Sequence, residues 1–137
     1  MNIGSITVII PVKERFNLLN LALDSINRQT LIPKEVIIID DASSEKIILK
    51  KKYKFNYKLI RNKKNLGVSK SRNIGIKICK TKYIAFIDTD DLWFSKKLRL
   101  QYDLAEKNNL DFVYCNYNSK KYKKNQIENN NKIFKRL

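Results

Sequence analysis

An acidic cluster, Asp88-Thr89-Asp90-Asp91, follows directly on an apolar run that ends at Ile87. Carboxylate oxygens are hard ligands of the kind that Mg²⁺ and Mn²⁺ prefer. Acids this close repel one another unless a cation or hydrogen-bond donors offset their charge. A divalent ion there would bridge them to a diphosphate and neutralise charge on a leaving group. Taken alone, the cluster is better explained as an acidic turn before a helix. Its position at a strand end, beside a second acidic strand end, favours the metal site.

That second acidic end is Asp40-Asp41, which follows the apolar run 35–39. An acid at such a position accepts hydrogen bonds from ribose hydroxyls or from a base N–H. An Asx turn or a helix cap explains the pair equally well. Asp40 is expected to point back toward the sheet, which makes Asp41 the binding candidate.

Two further segments carry groups suited to a phosphorylated ligand. Residues 65–73 lead from a loop at Gly67 into a helical pattern, and their backbone N–H groups and the Arg72 guanidinium could meet phosphate oxygens. A turn at Gly67 and an ion pair between Arg72 and an aspartate are compatible with that role. Trp93 is a candidate for stacking on a sugar, and a core position explains it at least as well.

The elements that must position these groups follow from apolar periodicity. Strands are predicted at residues 6–11, 35–39, 57–61, 82–87 and 111–115. Helices are predicted at 16–26 with Asn17 as N-cap, at 46–54, at 68–80, and at 95–108 with Ser95 as N-cap. This alternation predicts an α/β fold with a mainly parallel sheet covered on both faces. Ligands of such sheets bind beyond the carboxyl ends of the strands, where Lys13-Glu14-Arg15 and both acidic clusters fall.

The composition excludes several classes of protein. The chain has 137 residues, 43% of them hydrophobic, which fits one domain with its own core. Because there is no histidine, His-based triads and His-ligated zinc sites are excluded. No run of about 18 apolar residues predicts a transmembrane helix, and the first residues do not resemble a secretory signal. Cys79 and Cys115 lack CxxC spacing and are expected to be buried, reduced thiols of a cytoplasmic protein.

The net charge of +16 points to polyanionic partners, although the richness in Lys and Asn is also typical of a compositional bias. Lysines concentrate in residues 46–64 and 120–136, not in one compact stripe. A nucleic-acid-binding domain would explain the charge but not the aspartates at the ligand edge, which repel phosphates, so nucleic acid is the weaker interpretation. Peripheral contact of the basic tail with the inner face of a membrane is the other expectation.

In chain order, these clusters resemble the motifs of the family 2 glycosyltransferases. The matching segments are residues 8–12, 38–43, 65–67, 71–76 and 83–93. Several motifs in one order across roughly residues 5–117 make the match specific. The resemblance implies a Rossmann-like GT-A domain at 1–117 followed by a basic tail at 118–137. It further implies an NDP-sugar donor, UDP-sugar first among them, Mn²⁺ or Mg²⁺, and inverting transfer to a glycan or a lipid-linked acceptor.

The resemblance also implies individual roles. Asp41 would contact the nucleobase, and Asp90 and Asp91 would contact the ribose and the metal. The nucleotide-sugar-binding residues expected are Pro11, Val12, Lys13, Glu14, Asp41, Arg72, Asp88 and Asp90, and the metal ligands expected are Asp90 and Asp91.

The sequence departs from the family pattern at three points. Lys13-Glu14 stands where the family often has Tyr-Asn, and Ala42 replaces a common glycine, a mild change if its φ is negative. The family's acceptor-binding half and its catalytic carboxylate lie beyond the matched segments. The chain is therefore expected to bind donor without supplying a catalytic base, with a non-catalytic remnant or one half of a split enzyme as alternatives.

Overall fold

The computed structural model describes residues 3–49 and 51–116, and these form a parallel sheet with helices between its strands. The elements are β1 (Ile3–Val12), α1 (Phe16–Asn27), β2 (Ile32–Asp40), β3 (Asn56–Arg61), α2 (Val68–Ile78), β4 (Tyr83–Phe86) and α3 (Lys97–Asn108). The predicted parallel α/β architecture is confirmed.

The sheet has the strand order β3-β2-β1-β4, with every pairing parallel. The chain moves from β1 through β2 to β3 and then returns, through α2, to the other side of β1. Because crossovers between parallel strands are right-handed, this reversal places α1 and α2 on opposite faces of the sheet. The strand order reverses between β1 and β4, which is where a ligand crevice is expected at the carboxyl ends.

The core is built on the two central strands, which are apolar on both faces. Ile9, Ile37 and Ile39 are fully buried on one face, where Ile74 and Ile78 of α2 pack against them. Val8, Ile10, Val36 and Ile38 alternate with them and are equally buried on the other face. Burying side chains of this size stabilises the fold by about 1.5–3 kcal/mol each, so the central strands form a rigid base for the loops that follow them.

The helix predicted at 46–54 is wrong: residues 46–49 and 51–54 contain no helix. Like charges at helical spacing repel one another along this lysine-rich stretch. The segment is instead held by aromatic packing, with the rings of Tyr53 and Phe55 stacked at 5.0 Å. The backbone N–H of Lys54 also donates to Asn27 Oδ1 of α1 at 2.8 Å.

The predicted fifth strand at 111–115 is also absent from the described residues, so the sheet has four strands there. An extended segment becomes a strand only when a neighbour completes its hydrogen-bond ladder, and the pattern of apolar residues does not supply that neighbour.

The N-terminal ends of two helices differ from those predicted. Helix α1 begins at Phe16, with Arg15 at the N-cap and no side-chain cap, so Asn17 is not its cap. Helix α3 begins at Lys97, two residues after Ser95.

The chain divides into two compact units, Met1–Leu98 and Arg99–Leu137. The first contains the sheet, α1, α2 and every predicted site residue. In the second, α3 ends in a Schellman turn: Asn109 adopts a φ of 48°, and the N–H of Leu110 donates to the Ala105 carbonyl at 3.0 Å. The predicted boundary at residue 117 and the basic tail lie outside the described residues.

The cysteines are not both buried as predicted. Cys79 is half-buried at the end of α2, where its thiol lies 3.3 Å from Thr81 Oγ1, and Cys115 is exposed because its segment is not part of the sheet. Both are free thiols. Within the residues that the structure describes, no helix is both long and apolar enough to cross a membrane.

Candidate functional site

The carboxyl ends of β1, β2 and β4 meet at one edge of the sheet, and side-chain contacts connect the loops that leave them. Glu14, after β1, accepts hydrogen bonds from Ser44 after β2. Arg15, also after β1, pairs with Asp90 after β4 at 2.8 Å. Sequence separations of 30 and 75 residues are thereby closed at this edge. The predicted convergence of the polar clusters is what the structure shows.

Asp41 is buried, and its carboxylate accepts hydrogen bonds from the segment that leads into α2. Oδ1 accepts from Asn62 Nδ2 and from the Leu66 N–H, and Oδ2 accepts from the Gly67 N–H, each at 2.8 Å. Burial alone would raise the pKa of Asp41, but these hydrogen bonds outweigh it and lower the pKa. Asp41 is therefore a charged acceptor that holds the loop preceding α2.

Asp40 lies beneath this site with its side chain 2% exposed. Its Oδ1 accepts from the Ser43 N–H at 2.9 Å, and its Oδ2 lies 3.4 Å from Arg61 Nη1. Arg61 also donates to the carbonyl oxygens of Ser43 and Glu45. Asp40 thus shapes the turn after β2 and is not available to a ligand.

The segment after β1 divides into buried and exposed residues. Pro11 and Val12 are buried, whereas Lys13 is exposed. The Glu14 carboxylate is held by Ser44, whose hydroxyl and N–H lie at 2.8 and 2.6 Å. The Ser44 hydroxyl, followed by its N–H, lowers the pKa of Glu14. Glu14 therefore joins two loops, and Lys13 is the more accessible of the two residues to a nucleotide.

The replacement of the common glycine by Ala42 was expected to be mild if the φ of Ala42 was negative, and that condition is not met. Its φ is 58°, in the left-handed region where glycine carries no steric penalty. An alanine there costs about 1–2 kcal/mol, so the exchange of the family's glycine introduces local strain directly beside Asp41.

The acidic cluster after β4 is balanced by arginines. Asp88 Oδ1 lies 2.6 Å from Arg72 Nη2, and Asp90 Oδ2 lies 2.8 Å from Arg15 Nη1. Asp91 is exposed and donates its backbone N–H to the Asp88 carbonyl at 3.1 Å. Partial burial, followed by the charges of Asp88 and Asp90, raises the pKa of Asp91. The carboxylates therefore create a local negative potential of the kind that a divalent cation relieves.

The acidic cluster suits a divalent metal ion in its donor chemistry but not yet in its arrangement. The donor chemistry fits, because the cluster offers exposed carboxylate oxygens close enough to raise the pKa of one of them. The arrangement is not yet a coordination site: among the described residues, no group of three acidic or thiol side chains is placed to hold an ion together. Asp88 and Asp90 would have to exchange their arginine partners to become ligands.

Arg72 is positioned by the loop that Asp41 holds, on the first turns of α2. Besides its pair with Asp88, its guanidinium carbon lies 5.9 Å from the centre of the Phe86 ring. Its Nε is buried and has no hydrogen-bond partner among the residues that the structure describes. A buried, unsatisfied donor is costly, and beside a crevice it indicates an acceptor supplied by a ligand, such as a phosphate or carbonyl oxygen.

The sequence analysis did not identify Asn62 as a residue of this edge, and it gave Arg15 no role there. Asn62 is buried and donates to Asp41. The signal for it in the sequence was a polar residue directly after β3, as at the other strand ends.

Trp93 is half-buried. Its backbone N–H donates to Ser25 Oγ at 3.2 Å, and Lys97 Nζ lies 4.2 Å from its ring centre. Its side chain is thus covered by a lysine on one face.

The sequence model of Glycosyl transferase family 2 matches residues 7–137. The chain belongs to this family. An uncharacterized glycosyltransferase of Rickettsia bellii is 42% identical over 83% of this chain and 17% of its own length. The UDP-Glc:alpha-D-GlcNAc-diphosphoundecaprenol beta-1,3-glucosyltransferase WfgD of Escherichia coli is 31% identical over 93% of this chain and 48% of its own.

A solved structure gives the fold of this family 2 chain. The crystal structure of S. aureus TarS 1-349 in complex with UDP-GlcNAc superposes with a TM-score of 0.70 and 26% identity, over 81% of this chain and 33% of TarS 1-349. The expected GT-A fold and the expected family are thereby confirmed. The chain spans between about a fifth and a half of the length of the curated relatives it matches.

Proposed function

We propose that this chain forms the donor-binding part of a family 2 glycosyltransferase that uses a UDP-sugar. Two similar proteins support the donor class: WfgD is named for UDP-Glc, and the TarS structure contains UDP-GlcNAc. The observation that carries the proposal is the linked carboxyl edge, where Asp41, Arg72 and the acidic cluster meet at the reversal of strand order. That edge is where open parallel sheets bind nucleotides.

In this proposal the nucleoside lies over the ends of β1 and β2. The Asp41 carboxylate, which Asn62, Leu66 and Gly67 hold at the end of β2, would accept a further hydrogen bond from a base N–H. Lys13 and the backbone at Pro11 and Val12 border the nucleotide. The unsatisfied Arg72 Nε faces an oxygen of the donor.

The diphosphate in this proposal lies at the acidic cluster, with Asp90 and Asp91 as ligands of Mn²⁺ or Mg²⁺. The ion, when bound, acts as a Lewis acid on the diphosphate leaving group. Asp88 and Arg72 orient the ribose and phosphate side of the donor. Transfer inverts the anomeric carbon by in-line displacement, and we assign the proton-accepting base to no residue of this chain.

The acceptor in this proposal is a glycan or a lipid-linked sugar, in line with the diphosphoundecaprenol acceptor for which WfgD is named. A lipid-linked acceptor would place the protein at the cytoplasmic face of a membrane. The charge of +16 favours such a surface, because anionic lipids attract lysines.

The donor site is tested by calorimetric titration of UDP-GlcNAc and UDP-Glc, each with Mn²⁺ and with EDTA. We expect binding that requires Mn²⁺ and that Asp91→Ala abolishes. The matched control is Asp24→Asn, an acid on α1 whose partner is Lys51 at 2.7 Å, which should leave binding unchanged. Equal affinity in EDTA would remove the metal from the proposal, and no binding under either condition would refute the donor site.

A further inference from the structure

We propose that Arg15 is a diphosphate-binding residue that Asp90 holds while the donor site is empty. This inference rests on the proposed function, and it adds a residue that the sequence motifs left without a role. It also predicts how metal and nucleotide influence one another, because Asp90 is both the partner of Arg15 and a proposed metal ligand.

The contact between Arg15 and Asp90 has the features of an exchangeable pair. Nη1 of Arg15 meets Oδ2 of Asp90 at 2.8 Å, and the two side chains are 56% and 55% exposed. Exposed pairs of this kind contribute little to stability, so structure alone does not account for a contact that spans 75 residues. The contact does join the ends of β1 and β4, the two strands that flank the expected crevice.

The position of Arg15 suits a phosphate. A guanidinium presents several N–H groups in one plane, and here one contact engages Asp90 while others remain for a bidentate oxyanion. Arg15 is also the N-cap of α1, whose first turn has no acidic residue and no side-chain cap. The backbone N–H groups at the start of that turn would add to the attraction of Arg15 for the same oxyanion.

Arg72 and Asp88 form a second arginine–aspartate pair, which is less exposed than the pair of Arg15 and Asp90. The side chains of Arg72 and Asp88 are 34% and 46% exposed, and the buried Nε of Arg72 has no partner within the described part of the chain. Two arginines thus neutralise two of the three acids when no ligand is present. A donor diphosphate would draw Arg15 away and release Asp90 to the metal ion.

This exchange gives Arg15 opposite effects on the two ligands. Without Arg15, Asp90 is free, so a metal ion alone binds more tightly. Without Arg15, the diphosphate loses a charged donor, so UDP binds more weakly. A residue with a purely structural role would weaken the binding of both ligands together. Because the exchange couples metal and UDP, loss of Arg15 should also reduce that coupling, by the same factor whichever ligand is titrated.

The experiment compares the whole chain with Arg15→Gln in three titrations. Mn²⁺ alone is followed by the electron paramagnetic resonance of the free ion, and UDP and uridine are titrated calorimetrically in saturating Mn²⁺. We expect Arg15→Gln to bind Mn²⁺ several-fold more tightly, UDP about tenfold more weakly, and uridine unchanged. Arg28→Gln, at the other end of α1, is the control and should change none of the three.

Each other outcome contradicts either the role of Arg15 or the proposed function. If the unsubstituted chain binds UDP but Arg15→Gln binds it within twofold of the same affinity, the role of Arg15 is wrong and the proposed function stands. If Arg15→Gln weakens Mn²⁺ as well as UDP, Arg15 is structural. If the unsubstituted chain binds neither UDP nor uridine, the proposed function and this inference both fail.

Discussion

The Asp41 carboxylate organises the edge of the sheet through hydrogen bonds to a segment more than twenty residues away. It receives donors from Asn62, Leu66 and Gly67, and these residues form the turn that leads into α2. A buried charge is tolerated only when such donors replace water. The same contacts therefore fix Asp41 itself and set the position from which Arg72 enters the site.

Replacing Asp41 with Asn should destabilise the fold by about 2–3 kcal/mol, because the amide cannot accept from every donor now facing the carboxylate. The measurement is urea unfolding at pH 7. Asp24→Asn, which breaks a surface pair with Lys51, is the control and should cost less than about 1 kcal/mol. A loss for Asp41→Asn no larger than that of the control would show that the loop is held by other contacts.

The difference in stability between Asp41→Asn and the unsubstituted chain should depend on pH. The folded-state pKa of Asp41 is lowered from 3.8, so the carboxylate stabilises the fold fully above that value. This contribution is lost as the pH falls through the lowered pKa. Unfolding curves of Asp41→Asn and of the unsubstituted chain should therefore converge in acid.

The apolar runs predicted four strands correctly because both faces of a parallel strand are buried, as Ile9, Ile37 and Ile39 are here. Two predictions failed for a common reason. Residues 46–54 and 111–115 carry local patterns that suit a helix and a strand, but tertiary partners decide whether such patterns are used. Local pattern located the acids of the site at strand ends. It could not show that Arg15 would meet Asp90, because that contact depends on the packing of β1 beside β4.

Helix α2 approaches β1 so closely that only glycine fits at position 75. A Cβ there would lie 2.7 Å from Cγ2 of Ile9, which is fully buried between the helix and the sheet. Because Ile9 has no open space to move into, Gly75→Ala should destabilise the protein by about 1–3 kcal/mol, despite the better helix propensity of alanine. Thermal unfolding monitored by circular dichroism gives the comparison.

The control for this variant lies on the exposed side of the same helix. Asn73→Ala should leave the unfolding temperature unchanged or raise it slightly, since Asn73 is exposed and alanine favours the helix. If Gly75→Ala behaves as Asn73→Ala does, then α2 does not approach β1 this closely. Because α2 carries Arg72, a displaced helix should also weaken the binding of UDP.

Charges of opposite sign are concentrated in different parts of the chain. Residues 46–64 hold nine lysines and arginines and no acid, whereas the acids after β4 lie at the carboxyl edge. Some of these cations are neutralised: Lys51 pairs with Asp24, and Lys58 with Glu35, each at 2.7 Å. Lys52 and Lys54 are exposed and stand beside the aromatic pair of Tyr53 and Phe55.

Exposed lysines are suited to an anionic lipid surface, where each contributes about 1 kcal/mol. The double variant Lys52→Gln/Lys54→Gln should therefore bind vesicles containing phosphatidylserine about thirtyfold more weakly in flotation at low salt. Lys58→Gln is the matched control. Because Glu35 already offsets that charge, its effect should be smaller than that of Lys52→Gln or Lys54→Gln alone. Binding to the vesicles should weaken as added salt shortens the screening length.

Equal binding to neutral vesicles would exclude an electrostatic contact. Preferential binding of single-stranded RNA through the same lysines would instead assign this surface to nucleic acid.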